Sequence, residues 1–234
     1  MSRLRTLVAL ALIAATTDLS QAQTVVLQVD PAVDTFELRT GPNRKFYTHS
    51  FLALGFLAGQ KDPAAPVLYG RAIDIRFGVL HKIKWTNFFS NCIEMALHNT
   101  ELPFNGTEPM KSFPDTVMNK KEKLRSFGIQ LNLLQRFNIG HRGDKLGNFI
   151  DIGAGADWVP WMDHLVRNDI ADGTKQKVVT RKLPYRQAIY YSAIGKVGLG
   201  GINLFGHYRL TPMIKSGFGD PVLPVWTFGV GIKI

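Results

Sequence analysis

The chain has 234 residues, with 28 Lys and Arg against 18 Asp and Glu, and its formal net charge at pH 7 is +10. Its single cysteine, Cys92, excludes an intramolecular disulfide. Beyond the first 22 residues the longest apolar run, Phe51 to Gly59, is shorter than the ~18 residues that a membrane-spanning helix needs. Only helices and closed β-barrels cross a bilayer, so an integral membrane role would require a barrel.

The N-terminus has the pattern of a secretory signal peptide. Arg3 and Arg5 precede an apolar run from Leu7 to Ala15, and Ser20-Gln21-Ala22 ends the segment with small residues two apart. We therefore predict a signal peptide over residues 1–22 and an exported chain. An exported chain rarely meets nucleic acid, so the basic excess favours phosphate-bearing lipid headgroups or a basic solvated surface instead.

Residues 23–45 contain Pro31, Pro42 and scattered charges, and they predict an extended N-terminal arm. From residue 46 to 234 the chain shows strand-type alternation of period two. Eight strands are predicted in chain order, near His49–Ala58, Leu68–Ile83, Phe89–His98, Lys123–Ile139, Ile150–Trp158, Gln176–Leu199 (interrupted at Pro184), Ile202–Thr211 and Leu223–Ile234.

The predicted connections alternate in length along the chain. The first, third, fifth and seventh are long and polar, and the second, fourth and sixth are short. In an antiparallel meander this places all long loops at one end, which is the arrangement of bacterial outer-membrane barrels. An even number of strands places both termini at the short-turn end, and the last strand should pair with the first.

The two faces of the predicted strands differ in chemistry. One face is apolar in all eight strands, while the other gathers charged residues, polar residues and glycines. An eight-stranded barrel is about wide enough for side chains to fill, so we expect the inward charges to form ion pairs that close the interior. The predicted interior network comprises Asp74, Arg76, Glu94, Arg136, Asp151, Asp157, Lys196, Arg209 and Lys233.

The four tryptophans are predicted to mark the two ends of the strands. Trp85 lies in a short turn, and Trp158, Trp161 and Trp226 lie at the long-loop ends of the fifth and eighth strands. Amphipathic rings at both ends are typical of two membrane interfaces. Packing into a soluble core is the alternative interpretation of these rings.

Catalytic and metal-binding patterns are weak in this sequence. No serine lies in a G-x-S-x-G elbow, and no partner for His81, His141 or His164 follows from spacing. Glu94 and His98 share a face, but the ~13 Å between them is too long for one ion. We predict no catalytic residues, no metal and no cofactor.

Several segments resemble the PorT-like outer-membrane β-barrel family of the Bacteroidetes. They are Lys121-Glu122-Lys123-Leu124-Arg125, Asp157-Trp158-Val159, Tyr208-Arg209-Leu210-Thr211, Phe113-Pro114-Asp115-Thr116-Val117, and Leu223-Pro224 followed by a strand ending Gly-Ile-Lys-Ile. The resemblance runs from about Tyr47 to the end. It implies an outer-membrane barrel, and some relatives are implied to assist a protein-secretion machine.

These observations predict an all-β, eight-stranded antiparallel up-and-down transmembrane β-barrel in the cell outer membrane, following a cleaved signal peptide. The predicted role is non-enzymatic, as a structural or accessory component of a cell-surface or protein-secretion assembly. The expected partners are outer-membrane lipid and lipopolysaccharide, the barrel-assembly machinery and such an assembly. Two alternatives are an outer-membrane enzyme that modifies lipid or lipopolysaccharide, and a soluble exported β-barrel that binds a small apolar ligand.

Overall fold

The computed structural model describes residues 41–139, 147–169 and 174–234. The predicted signal peptide, most of the predicted N-terminal arm and His141 lie outside these residues. The only helical element in the described ranges is a short 3-10 turn, Tyr69–Arg71. None of the described helical structure is long and apolar enough to cross a membrane.

The described residues contain nine strands, and every pairing between them is antiparallel. They are β1 (Phe46–Ala58), β2 (Ile73–Lys84), β3 (Phe89–Phe104), β4 (Lys121–Ile139), β5 (Asn148–Asp169), β6 (Lys175–Thr180), β7 (Ile189–Leu199), β8 (Ile202–Arg209) and β9 (Trp226–Lys233). The all-β, antiparallel class predicted from the alternating sequence is therefore confirmed.

Eight of the strands pair in a ring. The order is β4-β3-β2-β1-β9-β8-β7-β5, and β5 also pairs with β4. The last strand meets the first, as predicted, with Leu54 opposite Val230. Each ring strand thus has a hydrogen-bonded neighbour on both sides, which leaves no edge along the paired segments.

The ninth strand corrects the predicted count of eight. β6 pairs only with the distal part of β5, where His164 to Asp169 lie opposite Lys175 to Thr180. The sequence placed this segment at the start of the strand that continues beyond Pro184. The structure separates the two because the pairing with β5 is interrupted over residues 181–188. β7 resumes it at Ile189 opposite Trp158, in the same direction as β6.

The fifth strand is much longer than predicted. It was expected to end near Trp158, but β5 continues to Asp169 and pairs with β4 as far as Lys121 opposite Arg167. A register shift between Phe127 and Ile129 marks the point where the extension begins. Bulges of this kind bend a strand and re-aim its side chains.

The polarity of the strands reverses along their length. From Ile129 to Ile139 on β4, outward positions carry exposed or half-buried Leu131 and Leu133, and inward positions carry buried Asn132 and Arg136. Between Lys121 and Arg125 the order is opposite, because the outward residues are basic and Leu124 is buried inside. The ring therefore has an apolar exterior in one part and an apolar interior in the other.

The apolar interior lies at the end of the ring that carries the long connections, and we call it the loop-end core. Ends of β1, β3, β4, β5 and β7 contribute to it, together with the connections 59–72, 105–120, 181–188 and 210–225. Its buried members are Leu57, Ala65, Val67, Ala72, Leu102, Phe104, Phe113, Leu124, Val159, Met162, Leu183, Tyr190, Met213, Ile214 and Leu223. The long connections, expected from sequence to be merely polar loops, thus help to cover this end of the ring with packed side chains.

Candidate functional site: the charged interior of the ring

The interior of the ring between the short turns and the loop-end core is lined by buried charged side chains. Period-two alternation places them there, because every second residue of each ring strand points inward. Close packing limits the space between them. A Cβ atom added at Gly155 would lie 2.0 Å from Asn132 Oδ1, so the inward glycine leaves room for a polar side chain on the neighbouring strand.

Two ion pairs fill the part of the interior nearer the short turns. Arg136 on β4 donates from Nε and Nη2 to the two carboxylate oxygens of Asp151 on β5, each at 2.7 Å. The Arg136 guanidinium also lies 3.6 Å from the centre of the Phe149 ring. Lys196 lies directly opposite Asp151 in register, yet its ammonium pairs with Glu94 on β3. Glu94 also accepts from Asn132 Nδ2 at 2.8 Å.

A second group of polar contacts is centred on Arg76 of β2. Its guanidinium pairs with Asp74 and donates from Nη1 to Gln130 Oε1 at 3.1 Å. The same Nη1 lies 2.7 Å from His207 Nε2 on β8. Asp74 accepts in addition from the Thr100 hydroxyl at 2.7 Å. Because these partners lie on β2, β3, β4 and β8, their contacts cross the interior rather than follow one strand pair.

His98 lies between two carboxylates. Its Nδ1 is 3.6 Å from Asp74 Oδ1, and its Nε2 is 3.5 Å from Asp157 Oδ1. Asp157 therefore faces an imidazole and makes no ion pair with Lys or Arg among the described residues. The predicted pairing of inward carboxylates with inward bases thus holds for Asp74, Glu94 and Asp151.

Two of the predicted network residues have other surroundings. Arg209 donates from Nη2 to the Pro224 carbonyl at 2.8 Å and lies over the Tyr190 ring. Lys233 is exposed at the end of β9, with its ammonium 5.0 Å from the Tyr47 ring centre, so it lies outside the buried network. Lys233 is the last residue of β9, so its side chain lies at the short-turn end of the ring rather than inside it.

The four tryptophans all lie exposed on the outside of the ring. Trp85 is in the turn between β2 and β3, and Trp226 begins β9, stacked on Phe228 with ring centres 5.4 Å apart. Trp161 packs beside Phe127, with ring centres 5.6 Å apart. Trp158 and Trp161 lie partway along β5 rather than at its end, because the strand continues into the extension.

The described part of the interior contains a small cavity. A cavity of about 40 Å³ lies beneath the loop-end core and is lined by Asp74, Arg76, His98, Tyr190 and Ser192, among others. The Tyr190 hydroxyl and Ser192 Oγ have no hydrogen-bond partner among the described residues. A polar cavity of this volume is suited to a few water molecules and is far below the ~300 Å³ of a typical ligand pocket.

A buried polar cluster beside the loop-end core was not predicted from the sequence. The Lys111 ammonium lies 2.9 Å from Asp115 Oδ1, 2.5 Å from Glu122 Oε2 and 2.6 Å from the Val117 carbonyl oxygen. His164 Nε2 lies 2.6 Å from Glu122 Oε1. The only sequence signal was Glu122, a lone acid in the basic segment that opens β4.

This cluster has a composition that also occurs in metal sites. Asp115, Glu122 and His164 place ligand atoms within 4.8 Å of one another. The Lys111 ammonium, however, already supplies the positive charge and bonds to both carboxylates. The chemistry therefore favours a structural ion-pair cluster, in which the amine takes the position of a cation.

In comparisons with known proteins, no protein-family model matches the chain, and no curated protein matches it. The resemblance to PorT-like barrels therefore stays a prediction from the sequence. The fold and the chemistry of its two faces are the evidence from which a function can be inferred.

Proposed function

We propose that this chain is an integral outer-membrane β-barrel that serves as a non-enzymatic structural or accessory component of a cell-surface or protein-secretion assembly. In this proposal the eight ring strands span the bilayer. The long connections and the loop-end core stand outside the cell, and the short turns face the periplasm.

The observation that carries the proposal is the reversal of polarity along the strands. A ring in water throughout would keep its apolar residues inside along the whole strand. Here Met95 and Leu97 point outward on the same strand that buries Leu102 and Phe104 farther on. Lipid around the part with outward apolar residues, and water around the part with inward apolar residues, would account for the two arrangements.

The extent of the apolar exterior supports the same assignment. On β4 it runs from Ile129 to Ile139 with one polar residue, Gln135, and this length is close to the ~9–11 residues that a tilted strand uses to cross a bilayer. Exposed Trp158, Trp161 and Trp226 lie toward the long-loop end, and exposed Trp85 lies at the short-turn end. Aromatic residues at both limits of the apolar band are typical of transmembrane barrels.

The interior favours a structural role over catalysis or transport. Its carboxylates are engaged with Arg76, Arg136, Lys196 and His98, and these contacts cross the space that a solute would need. The Ser192 hydroxyl lines a cavity too small for a lipid substrate. The small cavity also disfavours the alternative of an interior that binds an apolar ligand.

The long-loop end supports an accessory role at the cell surface. Packing of four connections into the loop-end core gives this end fixed side-chain contacts, such as Phe113 against Tyr185 with ring centres 5.4 Å apart. A preorganised surface of this kind suits protein–protein contact, because less conformational freedom is lost on binding.

Membrane fractionation and gel migration test the proposal. The full chain, expressed in its native cell, should be recovered with the outer membrane and should migrate differently before and after heating. Recovery as a soluble periplasmic protein after osmotic shock would refute it.

Co-purification from native membranes should bring the partner assembly. An altered lipid profile in a deletion strain would favour the enzyme alternative.

A further inference from the structure

Three cations lie in one row across the outward face of the strand extension. In register, Lys121 of β4 is directly opposite Arg167 of β5, and Arg167 is directly opposite Lys177 of β6. All three side chains are exposed. Directly opposed residues on neighbouring strands are about 5 Å apart, and like charges in this arrangement destabilise a sheet. We call Lys121, Arg167 and Lys177 the cationic row.

Three nearby carboxylates are engaged elsewhere, and a fourth, Asp163, lies opposite Arg125 in register rather than opposite a member of the row. Asp169 pairs with Lys120, and Glu101 pairs with both Lys123 and Arg125. Glu122 points inward to Lys111 and His164. Within residues 41–139, 147–169 and 174–234, no member of the cationic row forms an ion pair. The structure thus keeps three adjacent positive charges, none of them in an ion pair within its described part.

Basic side chains beside the row act on Asp169. The pKa of this exposed carboxyl lies below its ordinary value, first because Lys120 donates a hydrogen bond to it. The charges of Lys120, Lys175 and Lys121 lower the pKa further. Lys120, Lys175 and Lys121 therefore stabilise a negative charge at this position beside the row.

Two depressions flank the row. One, of about 330 Å³, has Leu68, Pro103 and Leu165 among its lining residues, with Lys121 and Arg167 beside them. The other, of about 320 Å³, is lined by polar and basic residues, including Lys175 and Lys177, and by one carboxylate, Asp169. An anionic group with a less polar body could therefore place its charge on the row and its body in the first depression.

The position of the row relates it to the proposed membrane surface. Outward residues on β4 change from Ile129 through Phe127 to Arg125, Lys123 and Lys121. From Trp161 to Arg167 on β5 is six residues, or roughly 20 Å along the strand at 3.3 Å per residue. The row thus lies beyond the aromatic residues, on the side where headgroups of outer-leaflet glycolipids extend.

We propose that the cationic row binds phosphate groups on the saccharide headgroup of an outer-leaflet glycolipid. A phosphomonoester carries about −1.5 to −2 charges and three acceptor oxygens, so one group neutralises much of the row. The Arg167 guanidinium offers two parallel donors to a phosphate, and Lys121 and Lys177 add ammonium donors on either side. The inference rests on the proposed function, since that function places the extension at the outer leaflet.

The test uses the full chain reconstituted in zwitterionic lipid nanodiscs that contain phosphorylated lipid A, dephosphorylated lipid A or neither. The row variant is Lys121→Gln/Arg167→Gln/Lys177→Gln. The matched control is Arg181→Gln/Lys182→Gln/Lys215→Gln, which removes one Arg and two Lys that are exposed in other connections at the long-loop end. Glycolipid retention is measured by native mass spectrometry, and unfolding is measured by heating in each lipid.

We expect phosphorylated lipid A to be retained by the native chain and the control within about twofold of each other, and about a hundredfold more weakly by the row variant. In zwitterionic lipid alone the row variant should be no less stable than the native chain, because it removes like-charge repulsion. That result would show that weaker retention does not come from misfolding.

Several results would overturn the inference. If the row variant retained phosphorylated lipid A as well as the native chain does, the row would not be the binding site. If the native chain retained dephosphorylated lipid A equally well, the row would not recognise phosphate. Displacement of the glycolipid by an equal concentration of inorganic phosphate would point to a free anion as the ligand. Heat-modifiable migration reports insertion separately. An inserted chain without phosphate-dependent retention refutes this inference alone, while a chain that does not insert refutes the proposed function and the inference with it.

Discussion

Glu94 on β3 and Lys196 on β7 form an ion pair between strands that are not neighbours in the ring. Both side chains are buried, and the pair is separated by 102 positions in the sequence. It spans the interior at the level where Asn132 also binds Glu94. We take this pair as the main element that closes the proposed barrel to solutes.

Replacement of Lys196 by Met should destabilise the folded state strongly. The change leaves the Glu94 carboxylate buried without its ammonium partner, which costs about 3–5 kcal/mol. Urea unfolding in lipid vesicles measures it. Lys233→Met is the control, because Lys233 is exposed at the end of β9 and should change the stability by less than about 0.5 kcal/mol. Adding Glu94→Gln to Lys196→Met should recover part of the loss, and strict additivity of the two changes would show that the pair is not coupled.

The native chain should not conduct ions across a planar bilayer. Contacts of Arg76 with Gln130 and His207, together with the Glu94–Lys196 pair, cross the interior, and the loop-end core covers one end. Current recordings after reconstitution should match those of protein-free bilayers. Regular stepwise currents from the native chain would contradict a closed interior and favour a pore.

Lys111→Met should loosen the loop-end core. The Lys111 ammonium contacts Asp115 and Glu122, and its loss leaves the Glu122 carboxylate buried beside His164, at a cost of about 3–5 kcal/mol. Hydrogen exchange of the backbone amides in residues 105–120 should become faster. Lys120→Met is the matched control, because the Lys120–Asp169 pair is exposed and contributes about 0–1 kcal/mol. Equal exchange rates in both variants would show that the buried cluster does not hold the loop.

Tyr185 should make the loop-end core sensitive to alkaline pH. Burial raises the pKa of Tyr185 to about 12, and the charges of Asp115 and Glu122 add to this effect. Because the folded-state pKa lies above the ordinary value of 10, the contribution of the neutral phenol is complete below pH 10 and declines as the pH rises toward 12. Melting temperatures of the native chain should therefore fall relative to Tyr185→Phe between pH 10 and 12. Parallel curves for the two proteins would contradict the assignment.

The sequence predicted the strands well where one face of the strand stays apolar and the other stays polar along its length. β4 was predicted to begin at Lys123 and begins at Lys121. The alternation of Leu131 and Leu133 with polar inward residues was enough to recognise this strand. The extension of β5 was missed because its outward residues change from apolar to charged, and the alternation alone does not show that the sheet continues. The Lys111 cluster was missed because its residues come from a connection and from two strands.

The interior composition was predictable, but most of its contacts were not. Alternation identified the inward carboxylates and bases of the ring strands. Which carboxylate an inward base pairs with depends on how strands that are distant in the ring approach one another across the interior. Lys196 is therefore opposite Asp151 in register but forms its ion pair with Glu94. Asp157 contacts His98, and Arg209 contacts a backbone carbonyl, for the same reason. Lys233 fell outside the network because the strand ends there.

One pair of substitutions tests most directly whether lipid surrounds the ring. Val230 on β9 lies between Leu54 and Leu204 in the apolar exterior, and Val178 lies on β6 outside the ring. Their exposed fractions are 46% and 45%, so the two side chains differ in surroundings rather than in accessibility. Because Val230 lies midway along β9, urea unfolding in lipid vesicles should show that Val230→Lys destabilises the chain by about 2–4 kcal/mol. Val178→Lys should change the stability by less than about 0.5 kcal/mol. Equally small effects at both positions would mean that water surrounds Val230, and would contradict the membrane-spanning barrel.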